Sequence, residues 1–132
     1  MTYYLLDTSA LVKRYHLEAG SANVGKILTE PNSTHLISRI GLVEAVSAFA
    51  LKVRGGEIPL ADFTAYRKRL LADVRKRLLN VVRVRAPQFK EADRLLQMHG
   101  CSVNLRTLDA LQLDTAWICE HVVCSMTSSV LT

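Results

Sequence analysis

Cysteine is scarce in this chain: three occur, Cys101, Cys119 and Cys124. So few, and an odd number, build no disulfide framework, which makes a reducing compartment the simpler setting. Long hydrophobic runs are missing too. No uncharged apolar stretch approaches the roughly 18 residues that span a bilayer, and the first apolar run is interrupted by Asp7, with none of the basic stretch a secretory signal needs ahead of it. The expectation is a cytoplasmic protein with no membrane partner. Gly55 and Gly56 are not followed by Lys-Ser or Lys-Thr, so no phosphate-cradling nucleotide loop is encoded. His16, His35 and His99 are isolated, and no Ser-His-Asp arrangement with a nucleophile elbow can be assembled. Cys119, His121 and Cys124 are close in sequence but lack a fourth ligand and a second cysteine pair, which disfavours zinc.

What is present is ordinary globular material. The 132 residues are 49% hydrophobic and 22% charged, too apolar for a disordered chain and about the right length for one domain, expected to span residues 1–132. The net charge of +5 is unevenly distributed. Between Arg67 and Arg85 stand Arg67, Lys68, Arg69, Arg75, Lys76, Arg77, Arg83 and Arg85 against Asp73 alone, so the remainder of the chain is net negative. A basic stripe beside a more acidic body suits a polyanionic partner such as nucleic acid; a solvated helix face is the plainer alternative.

Hydrophobic spacing predicts strands alternating with helices. Tyr3 to Leu6 reads as a short buried strand ending at Asp7, followed by helical segments from Ser9 to about Tyr15 and from Ala22 to Thr29. Thr34 to Ile37 is a second strand. From Ser38 a long helix carries Leu42, Val46, Phe49 and Val53 on one stripe until Gly55 and Gly56 end it, and Pro59 opens the next helix as its first residue. These two helices are expected to pair as a hairpin. Val81 to Val84 is a third strand candidate, followed by a helix from Pro87 to Met98, a helix within Asn104 to His121 expected to bury Leu108, Leu111, Ala116 and Ile118, and a last short strand at Val122 to Cys124. Such alternation calls for a parallel sheet with right-handed crossovers and helices on both faces.

Three acids stand out against this pattern. Asp7 closes the first strand, where ligands bind in open parallel sheets, though Asp-Thr-Ser is equally a good helix cap. Glu44 is the only charged residue between Arg39 and Lys52 and sits among Leu42, Val43, Ala45, Val46, Ala48 and Phe49. A carboxylate on so apolar a face needs a cation opposite, supplied by a metal or by an arginine such as Arg39 or Arg106, or else it titrates upward. Asp109 opens the penultimate element, again as a possible cap. Asp114 is rotated about 140° from it on a helix and is a weaker candidate. Three acids placed at strand ends and on an inward helix face could converge on one hard cation, Mg²⁺ or Mn²⁺, able to polarise a phosphodiester and acidify an attacking water.

The residues that carry this pattern resemble the PIN-domain ribonucleases, in particular the VapC-like toxins of toxin–antitoxin pairs. The resemblance rests on Tyr4-Leu5-Leu6-Asp7-Thr8-Ser9-Ala10-Leu11-Val12-Lys13, on Leu42-Val43-Glu44-Ala45, and on Leu105-Arg106-Thr107-Leu108-Asp109-Ala110-Leu111-Gln112-Leu113, in that order over most of the chain. It implies a three-layer α/β/α fold around a short central parallel sheet and a Mg²⁺- or Mn²⁺-dependent endoribonuclease. It also implies Asp7, Glu44 and Asp109 as the catalytic, metal-holding acids, a homodimer, RNA as substrate, and a cognate antitoxin that enters the acidic pocket. One departure concerns activity. The family carries a fourth acid just after its fourth strand, whereas the corresponding Ser125-Met126-Thr127-Ser128 contains no carboxylate, and Thr132 ends the sequence early. A C-terminally shortened, weakened nuclease and a catalytically inactive nucleic-acid or protein binding module are the two readings this leaves.

Overall fold

The computed structural model describes residues 1–118 and 122–124, with side chains through Thr115. Four strands form one parallel sheet in the order β3-β2-β1-β4: β1 (Thr2–Leu5), β2 (Ser33–Ser38), β3 (Asn80–Val82) and β4 (Val122–Cys124). Between them run α1 (Thr8–Tyr15), α2 (Ser21–Thr29), α3 (Arg39–Arg54), α4 (Leu60–Arg75), α5 (Ala86–His99) and α6 (Thr107–Ile118). The chain steps outward from β1 through β2 to β3 and then returns to pair β4 with the other side of β1. With right-handed crossovers, that reversal puts α1 to α4 over one sheet face and α5 and α6 over the other, giving three layers.

Burial follows this division. Leu6, Leu11, Tyr15, Leu28, Ile37, Phe49, Leu70 and Leu79 belong to one core, drawn from β1 through β3 and the helices between them, with Phe63, Tyr66 and Val74 packed against it. Tyr15 and Tyr66 each meet the edge of Phe49, at centroid distances of 5.8 and 5.5 Å. A second core joins α5 to α6 through Ala92, Ala110 and Leu111, with Ile40, Val84, Leu95 and Leu105 partly buried around it. The α3–α4 hairpin forms as its apolar spacing implies, but the deeply buried line of α3 is Gly41, Ala45 and Phe49, with Leu42 and Val46 on its flank. Pro59 is the N-cap of α4 and not its first turn, because its ψ of 160° is still extended. Leu108, expected inside, is 41% exposed, since burial of Ala110 and Leu111 turns it outward.

Local chemistry explains the element boundaries. The Asp7 side chain caps α1 by accepting the Ala10 amide, and Ser38 caps α3 by accepting the Gly41 amide. Gly20 precedes α2 with φ of +92°, a left-handed conformation that glycine adopts without a Cβ penalty. Gly41 answers a different need. A Cβ there would lie 3.1 Å from Ser38 Oγ and 3.2 Å from Gln112 Nε2, so its absence leaves room for the Gln112 side chain of α6 against the start of α3. That approach positions the site.

Candidate active site

In a parallel sheet all strand C-termini lie on one edge, and a crevice opens where the strand order reverses. Here the reversal is at β1, with β2 on one side and β4 on the other, and Asp7 comes two residues after its end. The same edge receives the start of α3, directly after β2, and the start of α6, which must run back across the sheet to reach β4. Asp7, Glu44 in the second turn of α3, and Asp109 in the first turn of α6 therefore face one region, each half-buried.

Their environments differ. Asp7 Oδ1 accepts the Ala10 amide at 2.8 Å, and Ser9 Oγ donates to both carboxylate oxygens at 3.1 and 3.0 Å. Asp109 Oδ2 accepts the Arg106 amide at 3.0 Å and lies 3.5 Å from Arg106 Nε, whose side chain is 81% exposed. Both act as helix caps, one of the alternatives read from the sequence. Glu44 has no such partner: its Oε1 is buried without a hydrogen bond. Burial pushes the Glu44 carboxyl above the usual glutamate range; the Thr8 hydroxyl and Arg106 draw it down, while the negative charges of Asp109 and Asp7 push it up further. Thr8 Oγ1 nonetheless completes no hydrogen bond. Neither Arg39 nor Arg106 forms an ion pair with Glu44 among the described residues, so the intramolecular neutralisation considered for it is not made. Arg106 spends its charge on Asp109.

Glu44 thus senses the charge of both other acids. The oxygens of the three are not drawn into one tight cluster: among the described residues no group of three His, Cys, Asp or Glu side chains stands at metal-holding spacing. Gln112 was not anticipated. It lies one turn beyond Asp109 on the same face of α6, its amide rests against Gly41, and its Oε1 is buried without a partner. The three-residue spacing from Asp109 was the available signal. Asp114 points elsewhere, into the packing beside α5; its buried Oδ2 is unpartnered, and burial, then the charge of Glu91, push its carboxyl up. The Ser125–Ser128 segment, Cys119 and His121 lie outside the described residues, as does the Cys124 side chain.

Beside the acids, Arg39, Ile40, Val43, Glu44, Ser47 and Leu108 line an open groove of about 470 Å³ between the starts of α3 and α6. The eight basic side chains from Arg67 to Arg85 are all exposed. Asp73, the one acid among them, is held from α1 by Arg14 Nε at 2.8 Å and by the Tyr15 hydroxyl at 2.6 Å. Among the described residues none of the eight is ion-paired. Arg83 and Arg85 directly follow β3 and so lie on the same sheet edge as the acids.

No family model and no curated protein matches the chain. Among solved structures, that of the Mycobacterium tuberculosis toxin VapC20, described as cleaving the sarcin-ricin loop, superposes with a TM-score of 0.68 at 16% identity, over 98% of this chain and 93% of that one. So close a likeness at so low an identity speaks for the fold: the chain adopts the PIN-like α/β/α architecture that its motifs resemble.

Proposed function

We propose that this PIN-like chain is a Mg²⁺- or Mn²⁺-dependent endoribonuclease, the toxin of a cytoplasmic toxin–antitoxin pair, with Asp7, Glu44 and Asp109 as its metal-holding and catalytic acids. The observation that carries the reading is Glu44, a half-buried carboxylate with an orphaned oxygen, held near two further acids at the topological switch point. An unpaired acid in that position costs stability unless a cation arrives. The donor set fits a hard divalent ion, which takes carboxylate oxygens and retains waters and substrate phosphate in its shell. Such an ion supplies positive charge against a phosphoryl oxygen and acidifies an attacking water.

The residues divide the remaining work. Asp7 and Asp109 would hold the ion through carboxylates that hydrogen bonds to the Ala10 and Arg106 amides already restrain, so little side-chain freedom would be lost on binding. Glu44 would complete the set of acids holding the ion, or its upward-shifted carboxyl would take a proton from water. Arg83 and Arg85, on the same edge, hold the RNA backbone by phosphate contacts, while the cations of α4 steer it from farther off. A homodimer and an antitoxin that inserts into the acidic hollow complete the proposal.

A second reading has its own support. Because Asp7 and Asp109 are both engaged as caps, a catalytically silent module that binds nucleic acid or protein through the same edge would need no metal. Asp7→Asn separates the two. Asparagine still caps α1, so the variant should fold, lose saturable Mn²⁺ binding by calorimetry and lose RNA cleavage. Cleavage by this variant at the wild-type rate removes Asp7 from the mechanism, and no Mn²⁺ binding by the wild type at millimolar metal favours the silent module.

A further inference from the structure

We infer that the groove between the starts of α3 and α6 is a nucleobase subsite, which receives an unstacked base of single-stranded RNA next to the bond to be cut. The inference rests on the ribonuclease reading and adds a binding site to it. The groove shares Glu44 with the acidic hollow, so an occupant lies immediately beside the reacting phosphate. Its volume of about 470 Å³ falls within the range of small-ligand pockets, roughly 300 to 1,000 Å³. Its walls are aliphatic. Val43, 68% exposed, and the partly buried Ile40 line it from α3, and Leu108, 41% exposed, from α6. Two apolar side chains held in solvent beside a charged site give the flat faces of a base a surface to cover.

The few polar groups of this mainly apolar groove come from Arg39, Glu44 and Ser47. Arg39 is exposed on the wall and makes no ion pair among the described residues, which leaves it to meet the adjoining phosphate or to stack its guanidinium on the base. Ser47 offers one hydroxyl, and the Glu44 oxygen other than the buried Oε1 can accept from an amino group or a 2′-hydroxyl. An apolar protein segment would match the walls but leave Arg39, which lines the same groove, without a counter-charge, so the charge pattern selects RNA. With one hydroxyl and one carboxylate to read base edges, the subsite accepts several bases and prefers flexible single strands over duplex.

The test compares a short single-stranded RNA with a sugar–phosphate strand of equal length lacking bases, by fluorescence anisotropy in EDTA so that nothing is cut. Wild type should bind the base-bearing strand about tenfold more tightly. Val43→Ser and Leu108→Ser, two uncharged changes at exposed positions, should each narrow that gap, and the Val43 and Leu108 methyl resonances should shift only with the base-bearing strand. Arg39→Gln should weaken both strands alike. Equal binding of the two strands by wild type overturns the subsite, as does a gap that survives both serine variants; metal-dependent cleavage lost in Asp7→Asn would then still uphold the nuclease. An apolar helical peptide that occupies the groove without affecting RNA affinity also overturns it. Failure to bind either strand also overturns the subsite, and metal-dependent cleavage then decides the nuclease separately.

Discussion

At the scale of single residues, the cap that Asp7 supplies and the metal-holding role proposed for it can be separated by substitution. Its carboxylate caps α1 through the Ala10 amide, so Asp7→Ala should lose about 1 kcal/mol of stability along with metal binding, whereas Asp7→Asn should lose metal binding with its melting temperature nearly unchanged. Glu44 offers a sharper test because its shift has a definite sign. Burial, and then the neighbouring acids, raise its carboxyl in the folded chain. Between the ordinary glutamate value near about 4.3 and that raised value, the folded state holds a proton the unfolded state has released, so stability falls as pH rises through this window. Glu44→Gln should therefore melt higher than wild type in EDTA at about pH 7 and show no such gain near about pH 4. Added Mn²⁺ should raise the wild-type melting temperature more than that of the variant. Equal melting curves at both pH values would show that the orphaned oxygen carries no penalty.

At the scale of elements, α4 is tied to α1 by Asp73, which accepts from Arg14 and the Tyr15 hydroxyl while Arg69 stacks over the Tyr15 ring at 5.3 Å. Burial alone would raise the Asp73 carboxyl, but the hydrogen bonds from Arg14 and Tyr15 outweigh it and hold it below the usual aspartate range. Its stabilisation is present above the unfolded value of about 3.9 and is lost as pH falls through the lower, folded one. Asp73→Asn should cost about 1 to 3 kcal/mol at neutral pH by denaturant titration, with the difference shrinking in acid. The same contact has a consequence for charge. Because Asp73 is satisfied from α1, the cations of α4 other than Arg69 stay open to solvent or phosphate.

Across the whole molecule, the parallel sheet sorts functional groups by edge. Asp7, Glu44, Asp109, Arg83 and Arg85 share one edge because each follows a strand C-terminus or opens a helix that leaves or approaches it. Arg83 and Arg85, although part of the same basic run as Arg75 and Arg77, are separated from them by the length of β3. Replacing both Arg83 and Arg85 by Gln should flatten the dependence of log K on log salt for single-stranded RNA by about 1.4, at roughly 0.7 per lost phosphate contact. Unchanged slopes would place the RNA path elsewhere.

Much of this was legible in order along the chain. The alternation of strands and helices, the caps at Asp7 and Asp109, the inward position of Glu44 and the concentration of positive charge all follow from local spacing, because capping and amphipathic burial act over a few residues. Leu108 misled, since helical periodicity shows that one face is buried without showing how far α6 is turned. Gln112 was missed because an amide has meaning only once Gly41 lets another helix reach it. Whether Glu44 would find an arginine was likewise open, and the structure gives Arg106 to Asp109. The order β3-β2-β1-β4, and with it the crevice at Asp7, came from tertiary structure alone. Parallel strands pair through burial against helices far apart in sequence, and no local pattern states on which side of β1 the last strand will return.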